Sequence, residues 1–144
     1  MPLIQITLPE NALDESQQAQ LAQQTTDILL SLEGMAANPK ARRLTWTYFQ
    51  THPQNAFFIG GEGHQSHPHY RFDVTVFANT LSAEKKETLT RQLTDAVLDL
   101  EGSDKNMLNA ARVWVMIHEV EEGNWGGAGQ IYSMDSLRKM LTKP

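Results

Sequence analysis

A proline, Pro2, stands directly after the initiator methionine. Methionine is normally removed when the next residue is small, proline included, and the Pro2 nitrogen then becomes a secondary amine. An α-amino group titrates near ~7.7–8.0, and burial lowers that value because it disfavours the charged form. An amine kept neutral can take a proton from a carbon next to a carbonyl and return it elsewhere, which is a tautomerisation. Held protonated, it would act as an acid, as hydration or dehalogenation requires. While Met1 stays attached, the nitrogen is an amide and does neither.

Few other groups compete for the role. The chain has no cysteine. That removes disulfides, thiol catalysis and the thiolates most structural zinc sites use. His64, His67 and His69 cluster in one short stretch. No acidic ligand or regular element frames them, so the stretch reads as a solvated polar linker, and no metal or cofactor is expected. Twelve Lys and Arg against 17 Asp and Glu leave a net charge of -5, with no basic run to offset it. Phosphate binding runs on clustered Lys and Arg, so a nucleic-acid surface is not expected. At 40% apolar and 20% charged residues the chain should fold. Leu3 to Leu8 is too short, and lacks the basic flank, to be a signal peptide. No apolar run approaches membrane-spanning length. A cytoplasmic, single-domain protein over 1–144, without membrane contact, is the expectation.

What must position Pro2 is legible as an internal repeat. A shift of 68 residues aligns Pro2 to about Gln50 with Tyr70 onward, without gaps. Thr26-Asp27-Ile28-Leu29-Leu30-Ser31-Leu32-Glu33-Gly34 falls on Thr94-Asp95-Ala96-Val97-Leu98-Asp99-Leu100-Glu101-Gly102. Outside that block Thr7 meets Thr75, Asn11 meets Asn79, Leu21 meets Leu89, Asn38 meets Asn106 and Trp46 meets Trp114. The first unit spans 2–61, the linker 62–69 and the second unit 70–131. Residues 132–144 remain, with a short helix expected from Ser133 to Leu141.

Each unit predicts strand, helix, strand. Leu3–Leu8 and Phe72–Phe77 are rich in β-branched and apolar residues. Asp14 and Ser82 suit a helix N-cap, and Gln17 completes a capping box with Asp14. Leu21, Thr25, Ile28, Leu29 and Leu32 share one helical face, as do Leu89, Leu93, Ala96, Val97 and Leu100. Gly34 and Gly102 are natural stops. Leu44–Gln50 and Arg112–Glu119 are the expected second strands. Right-handed crossovers would make each strand pair parallel. The fold class is α+β: two β-α-β units in a four-stranded sheet with both helices on one face. The other face lacks cover within the chain, so an oligomer is expected. Phe57–Gly61 and Asn124–Gly129 suggest glycine-rich hairpins that could reach a neighbour.

An N-terminal proline followed by Leu-Ile-Gln-Ile, then helix, strand and glycine-rich hairpin, resembles the tautomerase superfamily. Residues 119–129 resemble the hairpin that closes a 4-oxalocrotonate tautomerase subunit. Residues 49–61 look like the matching stretch of cis-3-chloroacrylic acid dehalogenase, whose family also fuses two units in one chain. The resemblance covers about residues 2–131. It implies a homotrimer of fused chains with Pro2 as general acid/base. The implied reaction is keto-enol proton transfer on a small 2-oxo or enol acid. Hydration, decarboxylation or dehalogenation in the same fold is the alternative, and a non-catalytic ligand-binding trimer is the other. The second unit has Tyr70 at the proline position and offers no amine there. The family's carboxylate-binding arginines fall here on Ala12, Thr80, Trp46 and Trp114, and the dehalogenase's arginine pair falls within Ala78-Asn79-Thr80. A more apolar pocket and a less charged substrate are therefore expected. Arg112, two residues before Trp114 and so on its strand face, is a candidate substitute, with Arg42, Arg43 and Arg71 near equivalent places. Trp125 falls on the family's aromatic wall. The candidate substrate-binding residues are Arg112, Trp125, Tyr70, Trp114 and Asn79.

Overall fold

The computed structural model describes residues 1–63 and 65–144. His64 lies outside the described residues. Among those described, no group of three or more His, Asp or Glu is arranged to hold a metal. No helix is long and apolar enough to cross a membrane.

Strand β1 (Leu3–Pro9) leads to helix α1 (Glu15–Leu32), short helix α2 (Pro39–Arg43) and strand β2 (Trp46–His52). The second unit repeats the order with β3 (Tyr70–Phe77), α3 (Ala83–Glu101), α4 (Met107–Ala110) and β4 (Val113–Val120). A small hairpin of β5 (Gly126–Gly127) and β6 (Gln130–Ile131) and a final helix, α5 (Met134–Thr142), follow. The sheet order is β2-β1-β3-β4. Strands pair in parallel within each unit and antiparallel between units.

The register carries the duplication into three dimensions. Leu3 pairs with Trp46 in the first unit, and Arg71 with Trp114 in the second. Both pairs differ by the same 68 positions, since 71 − 3 and 114 − 46 are equal. At the junction Gln5 pairs with Asp73, its own counterpart. A local two-fold therefore passes between them, and it places Pro2 and Tyr70 at opposite ends of the central strands.

The helices begin where the sequence calls for them. Asp14 accepts from the Gln17 amide at 2.7 Å, and the Gln17 side chain accepts from the Asp14 amide at 2.9 Å. Such a box satisfies two donors that a helix start leaves unpaired. Ser82 accepts from Lys85 N at 3.2 Å. Gly34 and Gly102 adopt left-handed φ of 72° and 68° just past the helix ends. Ile4, Ile6, Leu8, Phe72, Val74 and Val76 point from the central strands onto Leu21, Leu29, Leu89, Leu93 and Val97. Each such burial contributes about 1.5–3 kcal/mol.

The second strands start later than expected, at Trp46 and Val113. Asn38 accepts from Lys40 N and Ala41 N, and Pro39 occupies the first helical turn. Leu44 then closes α2 in a right-handed conformation. Asn106 does the same for α4 through Asn109 N. Alternation along the strands leaves Trp46, Tyr48, Trp114 and Met116 on the face away from the helices. Trp46 is 60% and Trp114 66% exposed. Among the described residues nothing covers that face.

Candidate active site around Pro2

Pro2 is buried at the start of β1, and Trp46 N donates to its carbonyl at 3.1 Å. It borders a cavity of about 230 Å³. The walls come from separate elements: Leu30 and Glu33 from the end of α1, Leu44 after α2, Phe77, Asn79 and Thr80 after β3, and Met134, Leu137, Arg138 and Leu141 from α5. Asn79 holds its place through the backbone, with φ 65° against 64° for Asn11. Asparagine tolerates that region better than most residues. Thr80 donates to Phe77 O at 2.8 Å. Trp125 stacks on Phe77, with ring centroids 4.8 Å apart and planes at 29°, and backs the cavity wall.

Two charges meet at this end. Burial pushes the Met1 amine at the chain terminus below its ordinary value, while the Glu33 carboxylate pulls it back up. Burial also pushes the Glu33 carboxyl up, opposed by that amine and by Lys85. Arg138, exposed, stands at the rim.

The candidates read from sequence separate into two groups. Asn79 lines the Pro2 cavity, and Trp125 supports it through Phe77. Tyr70, Arg112 and Trp114 border a second cavity of about 500 Å³ at the opposite end, with Phe57 and Phe58. Arg112 does not share the strand face of Trp114. It precedes β4 in the turn after α4, where strand alternation does not reach, and its side chain turns to the helix layer. Only 7% exposed, it donates to both carboxylate oxygens of Glu101, at 2.9 and 2.7 Å, and to Pro68 O at 2.6 Å. Of the other arginines, Arg42 pairs with Asp27 at 2.5 Å and Arg71 with Asp73 at 2.8 Å. Arg138 was not singled out by sequence reasoning. A signal exists: Met134, Leu137, Arg138 and Leu141 share one helical face, on a helix that the duplication does not account for and that must cover something.

A family model described as putative oxalocrotonate tautomerase enzyme matches residues 1–132. No curated protein matches. Among solved structures, N1, a member of the cis-3-chloroacrylic acid dehalogenase family, is 19% identical with a TM-score of 0.76, covering 99% of this chain and 92% of its own. Pt0534, solved as inactivated by 2-oxo-3-pentynoate, is 18% identical with a TM-score of 0.74, covering 94% of this chain and 98% of its own. The fused 4-OT Q0, a symmetric trimer, is 18% identical with a TM-score of 0.72 and the same coverage. These likenesses show that the fold is shared.

Proposed function

We propose, since the chain belongs to the putative oxalocrotonate tautomerase family, that Pro2, once Met1 is removed, is the acid/base of a keto-enol tautomerase acting on a small 2-oxo or enol acid. The observation that carries this reading is the burial of Pro2 against a small cavity that the rest of the chain builds around it. A cavity of that kind favours the neutral amine. Acting on an enol acid, the amine takes the enol hydroxyl proton. The oxygen's electron pair forms the carbonyl, the former C=C pair takes a proton at carbon, and the amine delivers it. Atoms and charge balance with no cofactor. The working assembly is a homotrimer in which the exposed face of Trp46, Tyr48, Trp114 and Met116 is covered.

Arg138 is the substrate carboxylate's partner in this reading. It replaces from the last helix the arginines missing at Ala12, Thr80, Trp46 and Trp114. Arg138→Ala is expected to raise KM about tenfold at nearly unchanged kcat, as loss of one charge-assisted hydrogen bond held equally in ground and transition states would. An unaltered KM would remove Arg138 from the site.

The reading is tested with 2-oxo-3-pentynoate, an acetylenic 2-oxo acid whose conjugated alkyne accepts an amine. Protein lacking Met1 and sedimenting as a trimer should gain the mass of one inhibitor on the Pro2 peptide and lose phenylenolpyruvate turnover in step. Turnover that survives full labelling of Pro2, or no turnover of any enol acid by protein with a free Pro2, would sink it.

A further inference from the structure

The duplication supplies its own control for each residue the halves share. Thr26 and Thr94 donate to Ala22 O and Thr90 O, both at 2.8 Å. Asn38 and Asn106 cap short helices, accepting from Ala41 N at 3.0 Å and Asn109 N at 2.9 Å. The matched pair Glu33 and Glu101 breaks this pattern. Glu101 is held by Arg112 on both oxygens and by Ser103 at 2.9 Å. The counterpart of Arg112 in the first unit is Leu44, which cannot pair with an acid. Glu33 keeps the carboxylate and lacks the arginine, and it borders the cavity beside Pro2.

The second unit also shows what the Pro2 nitrogen does not do. Tyr70 N donates to Arg112 O at 2.8 Å. The counterpart Pro2 cannot repeat this bond to Leu44 O, because its ring carbon Cδ stands where Tyr70 has its amide hydrogen. A protonated secondary amine has two N–H groups. Neither takes the place of the Tyr70 N–H, so both are free of the strand ladder at the end of the sheet where Glu33 borders the cavity.

We propose that Glu33 is the positioning partner of the Pro2 amine, accepting one of its two N–H groups and holding the protonated form in place between turnovers. The proposal rests on the free Pro2 amine of the reading above, and not on the substrate. The charged groups facing Glu33 are the Met1 amine ahead of β1, Lys85 on α3 and, across the cavity, Arg138 on α5. A carboxylate tied only to Lys85 would be a solvated helix-end charge with no effect on the amine, so the two roles separate by experiment.

The test is a 15N titration of Pro2 in trimeric protein free of Met1, which needs no turnover. An opposite charge within a few ångströms shifts a pKa by about 1–3 units. Glu33→Gln should therefore lower the amine's pKa by about one unit, move the rising limb of kcat/KM to lower pH by the same amount, and leave the trimer intact. Glu33→Asp should restore part of the shift, and Lys85→Met should not reproduce it. An amine pKa that is the same in wild type and Glu33→Gln, or a Lys85→Met shift equal to that of Glu33→Gln, overturns the proposal. A titration shift without turnover of any enol acid would leave Glu33 in place and remove the tautomerase reading instead.

Discussion

A chain whose Pro2 nitrogen is blocked by an uncleaved glycine–serine extension is expected to turn over enol acids about 10²–10⁴-fold more slowly than the chain with a free Pro2, the usual contribution of a positioned general acid/base. The block converts the amine to an amide. It adds its bulk at the mouth of the cavity and leaves the sheet untouched, so thermal unfolding should barely move. Pro2→Ala should lose less, because it leaves a primary amine with freer geometry. The pH dependence follows from the surroundings. Burial lowers the Met1 amine from its ordinary 8.0, and Glu33 opposes this. Pro2 borders the same cavity as Met1 and Glu33. Only the deprotonated amine accepts the enol proton, so kcat/KM should rise with pH and level off once Pro2 is neutral, its rising limb lowered by burial from where an exposed N-terminal proline titrates. Equal rates for blocked and free chains, or a kcat/KM indifferent to pH across the Pro2 titration, would exclude Pro2 as the base.

Why the duplication could be read without coordinates is a matter of which forces act locally. Caps, glycine stops and apolar faces are decided within a few residues, so Asp14, Gln17, Gly34, Gly102 and the Leu21 and Leu89 faces all declare themselves. Constant spacing carried the rest, including strand pairing, because the β1–β2 register recurs in β3–β4. Pro2 and Asn79 share one cavity because the antiparallel β1–β3 junction brings the start of one unit beside the end of the other unit's first strand. That requires the sheet order, which the repeat implies but does not state. Arg112 was misplaced by applying strand alternation one step beyond where the strand begins. Asn38 and Asn106, which mark the short helices ahead of β2 and β4, carried the missing information. Arg138 and Glu33 remained silent for another reason. Their meaning depends on what lies across a cavity, and α5 packs there from outside the repeat.

Arg112→Met is expected to destabilise the folded chain by about 3–5 kcal/mol, the usual cost of leaving one member of a buried ion pair unpaired. The two side chains are 7% and 9% exposed, so little water is at hand to replace the lost partner. Burial pushes the Glu101 carboxyl up. Hydrogen bonds from Arg112 and Ser103, with the Arg112 charge, more than reverse this and hold it below its ordinary 4.5. A depressed carboxyl contributes stability above its unfolded value and loses it as pH falls through the folded one. The wild type should therefore give up this contribution only below pH 4.5, whereas the variant, its Glu101 buried without a partner, is worst placed near neutrality. The gap between them in urea midpoint should be widest at pH 7 and should close on acidification. The double variant Arg112→Met/Glu101→Gln should recover most of the loss, since neither charge then remains buried. The pair stands at the end of the sheet opposite Pro2, so turnover per folded molecule should match the wild type in both variants. A single variant as stable as wild type at pH 7, or a gap indifferent to pH, would show that the pair is solvated in the assembled protein.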